Sequence, residues 1–256
     1  MLLAIDIGNT NVTLGAYDDT ALAFTARLAT DGRITADQYA IEIKNVLSLH
    51  GLEYQNIEDC IIASVVPTVG NAISRAVSML CDIVPLELGP GIKTGLNIKI
   101  DNPAQLGSDM VIGAIAALEQ YNGPLALIDM GTATTVSVIN EKNEFIGGMI
   151  MPGAAIAMNA LIDKTAQLPK IAFEPPKKKI GRNTIDCMRS GIMLGAACML
   201  DGMVQRMEEE LGQKTTVIAT GGMAQFIVPL CKTPMIYEKD LLIKGLAILY
   251  RDNKKK

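Results

Sequence analysis

Tryptophan is absent from the sequence of 256 residues, and the other aromatic side chains are few, with four Phe and six Tyr. The core must therefore be formed mainly by Ile, Leu, Val, Ala and Met, which is typical of layered α/β proteins. The sequence is 49% hydrophobic and only 20% charged, a composition that argues against disorder. Its length allows one large domain or two domains of ordinary size.

Histidine and cysteine, the usual ligands of zinc, are also few. His50 is the only histidine, and the five cysteines show no C-x-x-C spacing. A structural zinc site is therefore not expected. An odd number of scattered cysteines is typical of a reduced, intracellular protein, so we expect a cytoplasmic location.

Strong charge and long apolar runs are missing as well. The net charge of −4 gives no reason to expect nucleic-acid binding. No stretch reaches the ~20 apolar residues that a membrane helix needs, and the first apolar run meets Asp6 too early for a signal peptide. We expect neither nucleic acid nor a membrane as a partner, and we interpret the longest apolar run, 191–200, as a buried helix.

The sequence does contain a pair of similar segments, 4–13 and 127–136. Each has an apolar, strand-like beginning, then Asp-x-Gly, then hydroxyl and amide side chains, then a second apolar run. This pattern predicts a hairpin whose glycine lets a phosphate approach the backbone, while amides and hydroxyls donate to its oxygens. Asp6 and Asp129 would repel a polyphosphate unless a cation lay between them, so the pattern also predicts a metal ion.

The order of the predicted elements indicates two related halves. The first half follows the order β-β-β-α-β-α-β of a ribonuclease H-like unit, and the second repeats the three-strand meander from residue 125. We predict an α/β fold of two ribonuclease H-like domains, 1–121 and 122–256, flanking a nucleotide cleft as in the actin/hexokinase-type fold. Segment 89–102 is predicted to be a loop. The turn 220–222 follows a strand, and its glycine pair suits a contact with adenosine.

A series of motifs in this order resembles the type III pantothenate kinase family over essentially the whole chain. The motifs are Asp6-Ile7-Gly8-Asn9-Thr10-Asn11, Asn102-Pro103 with Gly107-Ser108-Asp109, Asp129-Met130-Gly131-Thr132-Ala133-Thr134-Thr135, Gly147-Gly148-Met149-Ile150-Met151-Pro152-Gly153, Ile180-Gly181-Arg182-Asn183-Thr184 with Ser190-Gly191, and Thr220-Gly221-Gly222. The resemblance implies phosphorylation of pantothenate by ATP, the first step of coenzyme A synthesis. It also implies a divalent cation such as Mg²⁺, a monovalent cation such as K⁺ or NH₄⁺, and a homodimer with the acceptor site at the subunit interface.

The resemblance also implies roles for individual residues. The ATP-binding residues would be Asp6, Gly8, Asn9, Thr10, Asn11, Thr13, Thr132, Gly221 and Gly222. Asp6 would orient the magnesium ion, Asp129 would lie at the monovalent cation, and Asp109 would be the general base. The acceptor would contact Ile100, Gly107, Ser108, Met110 and Thr184, the last from the partner subunit. From the residues alone, Asp109 is predicted to be a carboxylate stabilised by a helix N-terminus.

Two residues depart from the family pattern, and both belong to the acceptor site. Met110 stands where the family usually has Arg, and Ile100 where it usually has Tyr. A neighbour such as Arg182 or Arg189 could compensate for the lost charge. Alternatively, the chain is a paralogous kinase with a different acceptor, or a nucleotide-binding regulatory protein without catalysis.

Overall fold

The structure is a computed structural model that describes residues 1–89 and 91–254. Within these ranges the strands are β1 (Leu2–Ile7), β2 (Asn11–Asp18), β3 (Ala21–Ala29), β4 (Asp59–Ser64), β5 (Leu86–Glu87), β6 (Asn97–Ile98), β7 (Leu125–Met130), β8 (Ala133–Ile139), β9 (Glu144–Pro152), β10 (Thr216–Thr220) and β11 (Ile236–Tyr237). The α-helices are α1 (Ala36–Leu49), α2 (Pro67–Cys81), α3 (Ser108–Leu118), α4 (Ala154–Asp163), α5 (Thr184–Leu211), α6 (Ala224–Ile227) and α7 (Leu241–Lys254). Short 3₁₀ turns connect several of them.

The first packing unit comprises Met1–Leu96, Asn102–Glu119 and Asp240–Lys256. Its sheet has the strand order β3-β2-β1-β4-β5. One face of β1 forms an aliphatic core with residues of α1 and α2. On the other face, Gly15 lies opposite Ala4, and a Cβ added at Gly15 would overlap Ile243 of α7. Helices therefore cover both faces of β1, which explains its nearly continuous apolar sequence.

The second packing unit comprises Asn97–Asp101 and Gln120–Lys239. Its sheet has the order β11-β10-β7-β8-β9-β6, so β9-β8-β7-β10-β11 repeats the order of the first sheet. Apolar residues along α5, including Ala197, Leu200 and Val204, form a core with Ala126 and Ile128 of β7. The repeated strand order confirms the predicted α/β class with two ribonuclease H-like sheets.

One secondary-structure prediction is wrong in part. Segment 89–102, predicted as a loop, contains β6, which pairs in parallel with β9. The Asn97 side chain donates a hydrogen bond to Glu144 Oε1 at 2.8 Å, and the Lys99 amide donates to Phe145 O at 2.8 Å. The sequence could not predict β6, because a strand of two residues is too short to show an alternation of apolar and polar residues. Its partner strand is also 47 residues away in sequence.

The packing units differ from the predicted domains 1–121 and 122–256, which are divisions of the sequence. Residues 97–101 pack with the second unit, and residues 240–256 belong to the first. In that first unit, α7 packs tightly on α3, since a Cβ added at Gly245 would overlap the Ile112 backbone. The two-domain division itself stays a prediction.

Helix α5 is the longest in the described part of the chain. It has 28 residues and a window of 18 with mean hydropathy 1.2, so by length and composition alone it could cross a membrane. Core helices of soluble proteins pass the same test, and a single such helix is weak support for a membrane span. The buried apolar residues recur along one side of the helix: Met188, Met193, Ala197, Leu200, Val204 and Met207. This spacing fits a helix packed on a sheet.

The Tyr17 hydroxyl is buried without a hydrogen-bond partner among the described residues. Burial, with a contribution from Asp240, raises the pKa of Tyr17 from 10.0 to about 12. The neutral phenol is thus favoured in the folded state, and its stabilising effect is lost as the pH rises from 10 towards 12. We expect Tyr17→Phe to leave the free energy of unfolding at pH 7 unchanged, or to raise it by about 1 kcal/mol. Urea unfolding at neutral and alkaline pH measures both effects, and a marked loss of stability at pH 7 would contradict this.

Candidate active site

The first Asp-x-Gly segment forms a tight hairpin at the end of a buried strand. Asp6 lies opposite Thr13, and the last pair of the ladder is Ile7 with Val12, so residues 8–11 form the turn. The Gly8 amide closes this turn by donating to Asn11 O at 3.0 Å. Residues 9–11 are exposed, whereas Asp6 and Thr13 are half-buried. The predicted phosphate-binding residues of the first half are therefore brought together at one strand end.

Thr30, which is not among the site residues predicted from the sequence, makes two hydrogen bonds to this turn. Its hydroxyl donates to Gly8 O at 2.8 Å, and its amide donates to Thr10 O at 3.0 Å. The residue directly follows β3, and the antiparallel register of β2 with β3 places Asn11 opposite Ala29. The register of the predicted meander would have identified Thr30, but the sequence alone does not fix that register.

The second Asp-x-Gly segment forms a shorter hairpin. Asp129 lies opposite Thr135, and Met130 pairs with Thr134, so the turn consists of residues 131–133. The first turn has one residue more, which makes the two copies unequal in shape. On the other side of β7, Asp129 lies beside Thr220 of β10.

The predicted adenosine-binding turn lies directly against this Asp. Gly221 has φ +93°, and a Cβ at this position would overlap Asp129 Oδ1 and lie 2.6 Å from the Met130 backbone. No other residue type fits there without strain. The structure therefore brings together Asp129 and Gly221, which the sequence separates by 92 positions (221 minus 129).

Gly153, which is not among the predicted site residues, packs closely against the second hairpin. It is the N-cap of α4. A Cβ added to it would overlap Thr132 O and lie 2.7 Å from Gly131 O. The turn that carries Thr132 therefore lies against the N-terminus of a ten-residue helix, the end at which the helix dipole favours an anion.

The candidate general base lies at the start of α3. Asp109 is the second residue of the helix, and its Oδ1 accepts the Met110 amide at 2.9 Å. Gly107 is the N-cap, and a Cβ there would overlap the Asp109 carboxylate. Asp109 is thus a half-buried carboxylate at a helix N-terminus that accepts the Met110 amide and fits there because Gly107 has no side chain. A role as a base and stabilisation by the helix N-terminus are compatible.

The remaining predicted acceptor residues lie in several elements. Ser108 and Met110 flank Asp109 in α3 and are half-buried, whereas Ile100 follows β6 in the second packing unit. Thr184 is the exposed first residue of α5, and Asn183 is the N-cap, with its side chain accepting the Asp186 amide at 2.9 Å.

The two arginines that could replace the missing acceptor arginine differ in their surroundings. Arg189 forms an ion pair with Glu174, with Nη2 and Oε2 2.7 Å apart, and its Nε donates to Ala172 O at 3.4 Å. Arg182 lies in the exposed residues before α5. The Arg189 guanidinium thus already binds a carboxylate, and compensation by either arginine stays a prediction.

Carboxylate clusters do not define a metal site here. Among the described residues, no group of three or more His, Cys, Asp and Glu side chains is placed to hold a metal ion. Mg²⁺ in phosphotransferases is usually held by one or two carboxylates together with waters and substrate phosphates. A single carboxylate at the end of β1, beside an exposed turn of amides and hydroxyls, fits that chemistry.

The two sheets and their hairpins identify the class of protein to which the chain belongs. Each unit has a ribonuclease H-like sheet with an Asp-x-Gly hairpin at the end of its central strand, as in the actin/hexokinase-type ATPase fold. Two solved structures share the fold. A protein described as a Baf family transcriptional activator from Campylobacter jejuni has a TM-score of 0.63 and 19% identity over 99% of this chain and 100% of that one. The activator of 2-hydroxyisocaproyl-CoA dehydratase from Clostridium difficile, with bound ADPNP, has a TM-score of 0.59 and 12% identity over 99% and 96%.

Sequence comparison identifies the family. A family model described as type III pantothenate kinase matches residues 2–206. The chain is 42% identical over 253 residues to the type III pantothenate kinase of Halalkalibacterium halodurans, covering 99% of this chain and 100% of that protein. It is 41% identical over 253 residues to that of Bacillus cytotoxicus, covering 99% and 97%. The chain belongs to the type III pantothenate kinase family.

Proposed function

We propose that the protein transfers the γ-phosphoryl group of ATP to the hydroxyl group of pantothenate, forming 4′-phosphopantothenate and ADP. The observation that carries the proposal is Asp109, a carboxylate held at the start of α3 within a chain of this family. A base is needed because the acceptor hydroxyl must lose its proton as its oxygen bonds to phosphorus. Asp109 takes that proton, and ADP leaves with the electron pair of the broken bond.

The family resemblance assigns the donor roles to the hairpin of each unit and to the glycine turn. Residues 8–11, Thr13 and Thr132 bind the ATP phosphates, and Gly221 with Gly222 binds the adenosine. Asp6 orients a divalent cation, Mg²⁺ in the simplest case, through its water shell. When bound, this ion neutralises charge on the phosphates.

Asp129 lies at a monovalent cation, K⁺ or NH₄⁺. The support for this role is its position between Thr135 on one strand and Thr220 on the other, with Gly221 against its carboxylate. Its carboxylate would supply the negative charge and the neighbouring turns would supply neutral oxygens, a combination that suits a weakly charged ion.

We also propose that the enzyme is a homodimer in the cytoplasm, without a nucleic-acid or membrane partner. Helix α4 is apolar, yet only Ala154 and Met158 of its ten residues are buried. Large apolar side chains of the second unit are exposed on and near this helix in sequence: Ile150, Ile156, Leu161, Ile180 and Ile185. A second copy that covers them fits the homodimer that the family resemblance implies, in which Thr184 of the partner subunit contacts the acceptor. Light scattering after gel filtration measures the mass of the protein in solution, which should be that of two chains.

Turnover tests the proposed function directly. The purified protein with ATP, Mg²⁺, K⁺ and pantothenate is expected to release ADP only when pantothenate is present, and more slowly when Na⁺ replaces K⁺. ATP binding without pantothenate-dependent ADP, under varied divalent and monovalent cations, would instead favour a non-catalytic regulatory protein.

A second candidate, a kinase for a different hydroxylated acceptor, is favoured by Met110 and Ile100. Neither side chain can pair with the pantothenate carboxylate, and Arg189 is bound to Glu174. A screen of acceptors with and without a carboxylate tests this. If the wild-type protein binds pantothenate weakly, the double variant M110R/I100Y should raise kcat/KM for pantothenate by about tenfold or more. Unchanged turnover in that variant would reject the inference from these two positions.

A further inference from the structure

Thr30 makes two hydrogen bonds to the turn that joins β1 and β2. Its hydroxyl binds the Gly8 carbonyl at 2.8 Å, and its amide binds the Thr10 carbonyl at 3.0 Å. The first bond uses the side chain and depends on residue type, whereas the second uses only the backbone. Gly8 and Thr10 are therefore oriented with their carbonyl oxygens towards the end of β3.

The planar peptide bond fixes the direction of the amide N–H groups of the next residues, Asn9 and Asn11. In a trans peptide unit the carbonyl of one residue and the amide N–H of the next point in opposite directions. With the Gly8 and Thr10 carbonyls directed at Thr30, the N–H groups of Asn9 and Asn11 are directed away from it. Both residues are exposed, which is compatible with donation from these two amides to a ligand on the side of the turn away from Thr30.

Asp31, the residue after Thr30, is held by a buried side chain. The hydroxyl of Tyr39, a fully buried residue of α1, accepts the Asp31 amide at 3.2 Å and donates to Asp31 O at 3.1 Å. The residue after Thr30 is therefore bound at both backbone groups. The buried Tyr39 thus fixes the backbone of Asp31, and Thr30, joined to Asp31 by a peptide bond, makes the two hydrogen bonds to the turn.

We propose that Thr30 is a positioning residue that aims the Asn9 and Asn11 amides at the phosphates of ATP. The proposal rests on the proposed function of residues 8–11 as the phosphate-binding turn. Thr30 acts through the backbone of that turn. Its hydroxyl sets the tilt of the Gly8–Asn9 peptide, and without it this peptide can rotate and weaken one donor. The effect falls on ATP and leaves the acceptor untouched.

The test compares Thr30→Val with Thr30→Ser and with a matched control. Val keeps the shape and the backbone amide but removes the hydroxyl, whereas Ser keeps the hydroxyl. Thr25→Val makes the same chemical change on β3, opposite Gly15 and away from the turn. We expect Thr30→Val to raise the Kd for MgATP and the KM for ATP by about two- to tenfold, the effect of one lost hydrogen bond. The KM for the acceptor should stay unchanged, and Ser should restore the wild-type values.

Three results would overturn the proposal: an unchanged Kd for MgATP in Thr30→Val, an equal loss in Thr25→Val, or no rescue by Ser. The Kd for MgATP is measured calorimetrically without acceptor, so it does not depend on turnover. If the protein binds MgATP but phosphorylates nothing, the proposed function fails while the role of Thr30 is still decided. Thermal unfolding of each variant without ligand checks that the fold is intact.

Discussion

Asp109→Asn is expected to lower kcat by about 10²- to 10⁴-fold, the usual contribution of a general base, while leaving the Kd for MgATP unchanged. The amide oxygen of Asn can still accept the Met110 amide, so the start of α3 should keep its geometry. What the variant loses is the ability to take a proton from the acceptor hydroxyl. Steady-state ADP release and calorimetric ATP binding measure the two quantities separately.

Asp37→Asn is the matched control for this variant. Asp37 is the second residue of α1, as Asp109 is of α3. Both substitutions therefore remove a carboxylate from a helix N-terminus, at a cost of about 0.3–1 kcal/mol in stability. Asp37→Asn should leave kcat unchanged. A kcat that stays within a few-fold of wild type in Asp109→Asn would show that Asp109 is only a helix-stabilising carboxylate.

Gly221→Ala is expected to have the largest effect on the donor site. A methyl group at this position meets the Asp129 carboxylate and the Met130 backbone, and φ is +93°. The unfavourable backbone conformation costs roughly 1–2 kcal/mol and the overpacking roughly 1–3 kcal/mol. Because total stability is about 5–15 kcal/mol, we expect a clear loss of stability together with strongly weakened ATP binding. Urea unfolding and MgATP titration measure these effects.

Gly212→Ala separates the backbone cost from the steric cost. Gly212 is the C-cap of α5 and has φ +68°, but nothing lies within 4 Å of an added Cβ. It should lose only the conformational part, about 1–2 kcal/mol, and should bind MgATP normally. Equal losses of stability and binding in the two variants would contradict a specific contact of Gly221 with Asp129.

The sequence predicted the two Asp-x-Gly hairpins because each is local and carries its own strand and turn signals. Asp6 with Thr13, and Asp129 with Thr135, follow from the pairing of neighbouring strands. The repeated motif also indicated the repeated sheet. These features needed no information from distant parts of the chain.

Contacts between distant segments could not be predicted in this way. Thr30 reaches Gly8 only through the register of a third strand. The contact of Gly221 with Asp129 requires β10 to pair with β7, and Gly153 reaches Thr132 through the end of β9. Each of these contacts depends on tertiary packing, which leaves no periodic pattern in the sequence.

The most direct test of the central claim uses ATP labelled in its γ-phosphate. With Mg²⁺, K⁺ and pantothenate, the label should appear in a product with the mass of 4′-phosphopantothenate, in step with ADP, and Asp109→Asn should form almost none. Label that is transferred to another acceptor but not to pantothenate, or ATP that binds without any transfer, would contradict the account.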